Sequence, residues 1–584
     1  MKNQSKSFSM RIVKTSIFLG ALFLSGTAIS QDLGSETVEV VKPYTPSVND
    51  AFKIREIPSI GDSISLEKKP VTYSIFSVPV ASTFTPEKGR ATNLERARPV
   101  KIYDNYATLG FGNYTSILAE FYSNLEVSRS DNFGIFLTHN SAQGGIDEVL
   151  VDDKYYDTEL NLNYASRQRR MNWNIDFGVE HQLSNWYGIG EEYETALAPD
   201  AELPQNYYSV YVGGEINLDE SFFDRAEARY RFTGDSYSSA EHRFTVKPTL
   251  EIPIAGELFT TNLMLDYVGG SFDRNLFTEE GINYSFLNAG LSSSLLVLRD
   301  DLTLNLGAAV YYSQDVENSD GNIYVYPQVT ASYRMAGEYF IAYAGLEGEL
   351  RQNSYYDFAE ENPFISPTLR IHPTDQQYDA YVGAKGKLSN SVGYNLRASY
   401  AVEDYKPLFV SNPTGPMLEN NEEYTFGNSF MVVYDKVKTV SAFGELSFDV
   451  NRDFNLRLNG EVFSYNTDEQ EEAWNLPDFK ATLQGNYQIG ENWYAGADLF
   501  YVGERMDQRK QVELVLAIWE NAGVENVSVD SYFDINANLG YRFNEQLSAF
   551  VKGKNLLGNT YERWDEYPVL GLQVMAGVTY KFDF

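Results

Sequence analysis

Residues 571–584 alternate so strictly that one secondary structure accounts for them. Leu572, Val574, Ala576, Val578, Tyr580, Phe582 and Phe584 fall on one face of an extended strand, and Gln573, Met575, Gly577, Thr579, Lys581 and Asp583 fall on the other. Strand side chains point alternately to opposite faces, so one side of this segment is almost wholly apolar and the other polar or small. A strand of this kind at the end of a long chain predicts the closing strand of a transmembrane β-barrel, its apolar face toward lipid and its other face toward a lumen. Tyr580, Phe582 and Phe584 are the candidate closure signal.

The same alternation recurs upstream. Phe533, Ile535, Ala537, Leu539, Tyr541 and Phe543 share one face of residues 532–543, and a tight Asn544-Glu545 turn leads to the next segment. Further tight turns stand at Gly490-Glu491-Asn492, Asn451-Arg452-Asp453, Leu388-Ser389-Asn390, Ala336-Gly337-Glu338, Arg299-Asp300-Asp301 and Arg167-Gln168-Arg169. Between them lie longer polar connections at 183–205, 269–282, 350–377, 404–427, 465–477, 503–529 and 555–570. Short turns alternating with long loops are the asymmetry of an outer-membrane barrel. The first count of strands is twenty-three, which is odd, whereas two ends on one side of a membrane require an even number. Residues 431–434 and 440–450 have no turn residue between them, and Asp435-Lys436-Val437-Lys438 keeps alternating. Merging them gives about twenty-two strands over residues 104–584, and an all-β fold.

Composition agrees with membrane insertion through strands. After residue 30 no run approaches the roughly 20 apolar residues that a spanning helix needs. Residues 1–30 carry four basic and no acidic side chains, an apolar stretch at 17–24 and a small-residue cut site at Ala28-Ile29-Ser30, which reads as a removable secretory signal. The rest of the chain holds 42 basic against 81 acidic residues, a balance of about −39, which argues against nucleic acid or anionic lipid as a partner. Residues 31–103 contain seven of the twenty prolines, and proline disfavours interior strand positions, so this stretch reads as a short extended segment. A basic concentration, Lys88, Arg90, Arg96, Arg98 and Lys101, precedes the first strand.

Residues 533–561, with Asn555-Leu556-Leu557 followed by Tyr561, then Tyr567-Pro568 and the closing strand, resemble the C-terminal end of TonB-dependent outer-membrane receptors. That resemblance implies a twenty-two-strand barrel in the outer membrane of a Gram-negative cell, active transport, and a periplasmic energy-coupling protein as partner. Such receptors carry a plug of well over a hundred residues inside the barrel, and residues 31–103 offer only a much reduced one. Glu36, Thr37, Val38, Glu39, Val40 and Val41 are similar to the family's short energy-coupling box. The alternative is a non-transporting structural subunit or docking partner of a larger outer-membrane complex. Outer-membrane lipid is an expected partner under either reading.

Side-chain chemistry gives little support to an enzyme or a metal protein. Only four histidines are present (His139, His181, His242 and His372), none in a motif that would pin it between a nucleophile and a carboxylate, and there is no cysteine. Acidic groups at 147–153 and 468–472 lack the spacing of a calcium loop. No catalytic residue, metal ligand or cofactor is assigned. Aromatic residues in the long connections, Trp186, Tyr187, Tyr355, Tyr356, Phe358, Trp564 and Tyr567, are the candidate ligand contacts, because aromatic faces dock sugars, cofactors and protein partners.

Overall fold

The structure, a computed structural model, describes residues 101–147, 149–190, 202–219, 222–254, 257–413, 422–515 and 518–583, with the backbone alone given for 511–515 and 518–522. The signal segment, the candidate coupling box at 36–41, most of the basic concentration and Phe584 lie outside the described residues.

Twenty-two antiparallel strands form one closed sheet. Its seam joins the first strand, Asn105–Gly112, to the last, Gln573–Phe582, in the register Asn105↔Phe582 through Gly112↔Met575. The seam also has side-chain bonds: Asn105 Nδ2 donates to the Phe582 carbonyl at 3.0 Å, and Thr108 Oγ1 lies 2.9 Å from Thr579 Oγ1. A closed barrel leaves no unpaired strand edge, the condition for burying a sheet in hydrocarbon. The face assignment follows the alternation. Val574, Val578 and Tyr580 are exposed on the outside, Val578 by 48%, whereas Met575 and Thr579 line the inside.

The parity argument is met at Phe430–Asn451, a single strand of 22 residues paired along its length with Val392–Ser411. A bulge between Glu403 and Lys406, with Tyr405 at φ 52°, lets the pair bend and continue past the barrel rim. Two expected loops contain regular structure. Residues 503–529 hold a hairpin, Arg505–Val515 with Ile518–Val529, outside the barrel sheet. Its first strand is too polar to show a lipid-facing stripe, so alternation could not reveal it. Residues 350–377 hold a helix, α1, at Tyr355–Glu361.

Inside the barrel, tyrosine rings lie in notches left by glycines on the adjacent strand. A Cβ at Gly345 would strike the ring of Tyr381, and one at Gly540 would strike the ring of Tyr494. Each pair sits directly across the ladder, Gly345↔Tyr381 and Tyr494↔Gly540. A missing side chain on one strand therefore becomes a packing surface for its neighbour.

A loop-packed mouth as the candidate functional site

The hydrophobic core lies among the long connections at one end of the barrel. Helix α1 is the centre of this packing. Ser354 caps it, its Oγ accepting from the Asp357 amide at 3.1 Å, and the Glu241 carboxylate on the strand Ala240–Ile254 accepts from the amides of Tyr355 (2.7 Å) and Tyr356 (3.3 Å). Free amides at a helix start are satisfied by such acceptors. The helix stops at Asn362 because Pro363 follows, and the residue before a proline is pushed to extended backbone, here φ −133° and ψ 101°.

Further groups fix α1 to the barrel wall. The Tyr355 hydroxyl donates to Asp235 at 2.7 Å, Asp357 pairs with Arg243 at 2.8 Å, and the Tyr356 ring lies 3.6 Å from the Arg231 guanidinium. Gln182 donates to Glu360. Burial and the nearby Asp235 carboxylate push the Tyr355 hydroxyl far above the usual phenol range.

Around the helix the loops pack ring against ring. Tyr355 meets Phe272 edge-on at 5.0 Å, Phe358 meets Phe409 at 5.8 Å, and Trp564 meets Phe409 at 5.3 Å and Phe430 at 5.4 Å. Phe364 stacks on Tyr567 at 3.7 Å, Tyr187 meets Tyr567 at 4.9 Å, and Trp186 meets Tyr237 at 5.4 Å. Polar bonds tie connections far apart in the chain. The Tyr187 hydroxyl donates to the Pro568 carbonyl at 2.9 Å, Tyr207 to Pro363 at 3.1 Å, and Tyr567 to the Asn428 carbonyl. Asn428 Nδ2 reaches the Trp186 carbonyl at 3.2 Å.

All seven aromatics singled out in the sequence belong to this assembly. Trp186, Tyr355, Phe358, Trp564 and Tyr567 are buried in it, Tyr187 packs partly buried against it, and Tyr356 covers Arg231. Their rings therefore face other loops and the strand ends beside them in this arrangement. Sequence reasoning missed the wall groups that receive the helix: Asp235, Glu241, Arg231 and Arg243. Their signal was present, since a charge at a lumen-facing position of a spanning strand demands a partner.

The remaining polar candidates are accounted for locally. His139 Nδ1 lies 2.7 Å from Thr158 Oγ1, His181 stacks on Tyr208 at 4.9 Å, His242 Nδ1 lies 2.7 Å from the Tyr230 hydroxyl, and His372 stacks on Tyr405 at 4.8 Å. Burial lowers the pKa of His372. Among the described residues no group of three or more His, Cys, Asp or Glu side chains is arranged to hold a metal ion. In the acidic connections, Asp153 accepts from the Ile146 amide at 2.8 Å, and Asp468 pairs with Lys438 at 2.5 Å.

The extra hairpin is joined to the mouth by a charged cluster. Arg509 holds Asp565 through two bonds of 2.6 and 2.7 Å and pairs with Glu566 at 2.5 Å. Asp507, fully buried, accepts from the Ser411 hydroxyl at 2.8 Å. Burial, with Asp565 close by, pushes Asp507 up to about 6, and burial with Asp565 and Glu566 pushes Glu562 up to about 7.

No family model matches the sequence, and no curated protein matches it. Solved structures do. The chain superposes on the ferric-catecholate import receptor Fiu from E. coli K12 with a TM-score of 0.59 at 10% identity over 82% of each chain. For the FrpB iron transporter from Neisseria meningitidis the values are 0.61 and 10% over 82% of each chain. For the copper transporter OprC they are 0.55 and 12% over 83% of this chain and 82% of the other. At such identities the likeness is one of fold. What is shared is the closed twenty-two-strand barrel.

Proposed function

We propose that this protein is an outer-membrane receptor of the TonB-dependent type with a reduced plug. In this reading residues 31–103 take the place of the plug, and residues 36–41 meet a periplasmic energy-coupling protein. The observation that carries it is the closed barrel of 22 strands, the architecture shared with import receptors over four-fifths of the chain. A barrel of this size is too wide to fill with its own side chains, so an import function requires an internal closure. Receptor function also requires the mouth to open, because five of the seven aromatics are buried among the loops and strand ends. Helix α1 is the element to move, since it is a short segment within a long connection and its ties to the wall are chiefly polar.

The second reading, a non-transporting subunit of a larger outer-membrane assembly, is favoured by that same packing, which buries five of the seven rings. One experiment separates the two. Cells carrying the full chain or a variant lacking residues 36–41 are compared for energy-dependent uptake of a panel of ferric chelates, copper and oligosaccharides. The receptor reading expects at least one substrate whose uptake needs both the barrel and residues 36–41. Uptake indifferent to the deletion across the panel, with a stoichiometric partner retained in mild detergent, overturns it in favour of the second reading.

A further inference from the structure

One stretch of the inner wall leaves its polar side chains unpaired. It lies at the end of the barrel opposite the loop-packed mouth, where the strands Asp131–Ala142, Tyr155–Arg167, Met171–Asn185 and Pro204–Leu218 run side by side. Alternation fixes the faces. On Met171–Asn185 the side chains of Ile175, Phe177 and Val179 are exposed, as a lipid-facing surface requires, so Asn172 and Asn174 point to the lumen. Register carries that inner face across the neighbours, as Asn132↔Ala165↔Asn174↔Glu215 in one row and Arg167↔Asn172↔Asn217 in the row nearer the end. Arg129, in the turn before Asp131–Ala142, stands beside Arg167, whose backbone amide donates to the Ser130 carbonyl at 2.7 Å.

These residues line a cavity of about 410 Å³. Among the described residues, the side chains of Arg129, Arg167, Asn132, Asn172 and Asn174 make no hydrogen bond or ion pair with the rest of the wall, and Asn172 Oδ1 is buried without a partner. Nearer the mouth the same inner face is closed on itself. The Tyr211 hydroxyl donates to Asn161, Asn161 Nδ2 donates to Glu159, and Arg229 pairs with Asp176 at 3.4 Å. The open set is therefore local and not a general property of the lumen. Buried polar atoms are normally satisfied, and a ligand that supplies the missing partner recovers the cost of leaving one bare.

Charge is sorted along this cavity. Two guanidiniums stand together on one side, in a chain whose formal charge is −35. Two strands away stands Glu215, whose Oε1 accepts from Asn217 Nδ2 at 2.9 Å and lies 4.0 Å from Arg225, while its Oε2 has no bond among the described residues. Neighbouring strands are about 4.8 Å apart, so the cationic and anionic sides are separated by roughly 10 Å. Guanidinium forks grip a carboxylate, and a free carboxylate oxygen holds an ammonium. Side-chain amides between them offer a donor and an acceptor each, the same pair that every unit of a peptide backbone presents. An extended chain advances roughly 3.4 Å per residue, so about three residues bridge the two sides. A simple anion would gain nothing from Glu215 and be repelled by it.

We propose that this cavity binds a short extended peptide with both termini free, its carboxylate on Arg129 and Arg167, its amine on Glu215 and its backbone on the asparagines between them. The inference is independent of whether the barrel transports. The test is isothermal titration of the full chain, refolded into detergent, with trialanine, N-acetyl-trialanine and trialanine amide. Trialanine should bind, and each blocked form should bind about tenfold more weakly, the loss of one bond to a charged group. A double variant with R129Q and R167Q should lose the preference for a free carboxylate and keep that for a free amine, and E215Q should do the reverse. Equal affinity for the three peptides, or variants whose two preferences do not separate in this way, overturns the proposal. So does the absence of binding at millimolar trialanine by a barrel whose heat-modifiable migration shows it folded. Displacement of trialanine by acetate at equal concentration overturns it in favour of a simple anion site.

Discussion

Tyr355 is the residue on which closure of the mouth depends most visibly, and its substitution gives a quantitative test. The side chain is 0% exposed. Its hydroxyl is the near donor to one Asp235 oxygen at 2.7 Å, and among the described residues the other donor to that oxygen is Gln205 at 3.5 Å. Asp235 spends its second oxygen on the amides of Tyr237 and Ser239, at 2.9 and 2.8 Å. Tyr355→Phe therefore leaves a partly buried carboxylate oxygen poorly satisfied, a loss of about 1.5–3 kcal/mol for a bond to a charged group. At 1.36 kcal/mol per decade, the opening constant of the helix segment rises roughly 10- to 150-fold. Tyr355→Ala also removes the ring from its contacts with Phe272 and Tyr207, which places the loss at about 3–5 kcal/mol. Hydrogen exchange read by mass spectrometry on peptides spanning 352–373 measures the effect directly, since local opening free energies set amide protection. Barrel peptides such as 392–402 should keep wild-type exchange in both variants. Unchanged exchange in 352–373, or an equal rise across the barrel, would refute the view that α1 is a separately closing element.

The remaining predictions concern the wall, the outer surface and the extra hairpin. Gly540→Ala drives a methyl into the Tyr494 ring and should cost about 1–3 kcal/mol in urea unfolding, with Tyr494→Ala recovering most of it in a double-mutant cycle; additive losses would show that the notch is not the cause. Val578→Lys, facing lipid, should lose about 2–4 kcal/mol, whereas Thr579→Lys, facing the lumen, should fold near wild-type level; the reverse order would invert the face assignment. Asp507 and Glu562 have folded pKa values above their ordinary ones, so the folded hairpin binds more protons than the released one across pH 4 to 7, and its stability falls as pH rises through that window. Proteolytic nicking within 505–529, corrected for protease activity, should accordingly be slower at pH 5 than at pH 8, and a flat or opposite profile would remove these two carboxylates from the account.

The barrel is unusually legible in the sequence because lipid on one side and a lumen on the other impose a period of two on every strand. That constraint located the strands and, through parity, joined Phe430–Asn451 into one. It carries no information once the chain leaves the membrane. The strand Arg505–Val515 faces no hydrocarbon, so its polar sequence has the same pattern as a loop. Helix α1 is one short turn-rich segment whose stability comes from Glu241, more than a hundred residues earlier. The loop aromatics were found as a set, but their mutual burial depends on contacts such as Tyr187 with Pro568 and Tyr567 with Asn428, which no local pattern encodes.

The account's central claim is a wide barrel kept shut by the loop-packed mouth at one end, with residues 31–103 proposed as a second closure. Planar-bilayer conductance tests it most directly on three proteins: the full chain, a variant lacking residues 31–100, and that variant with residues 353–373 also replaced by a short glycine-serine link. The full chain should be silent, removal of the N-terminal segment should leave the mouth closed with at most brief openings, and the double variant should show large, long-lived pores. Steady conductance by the full chain, or silence in the double variant, would contradict it.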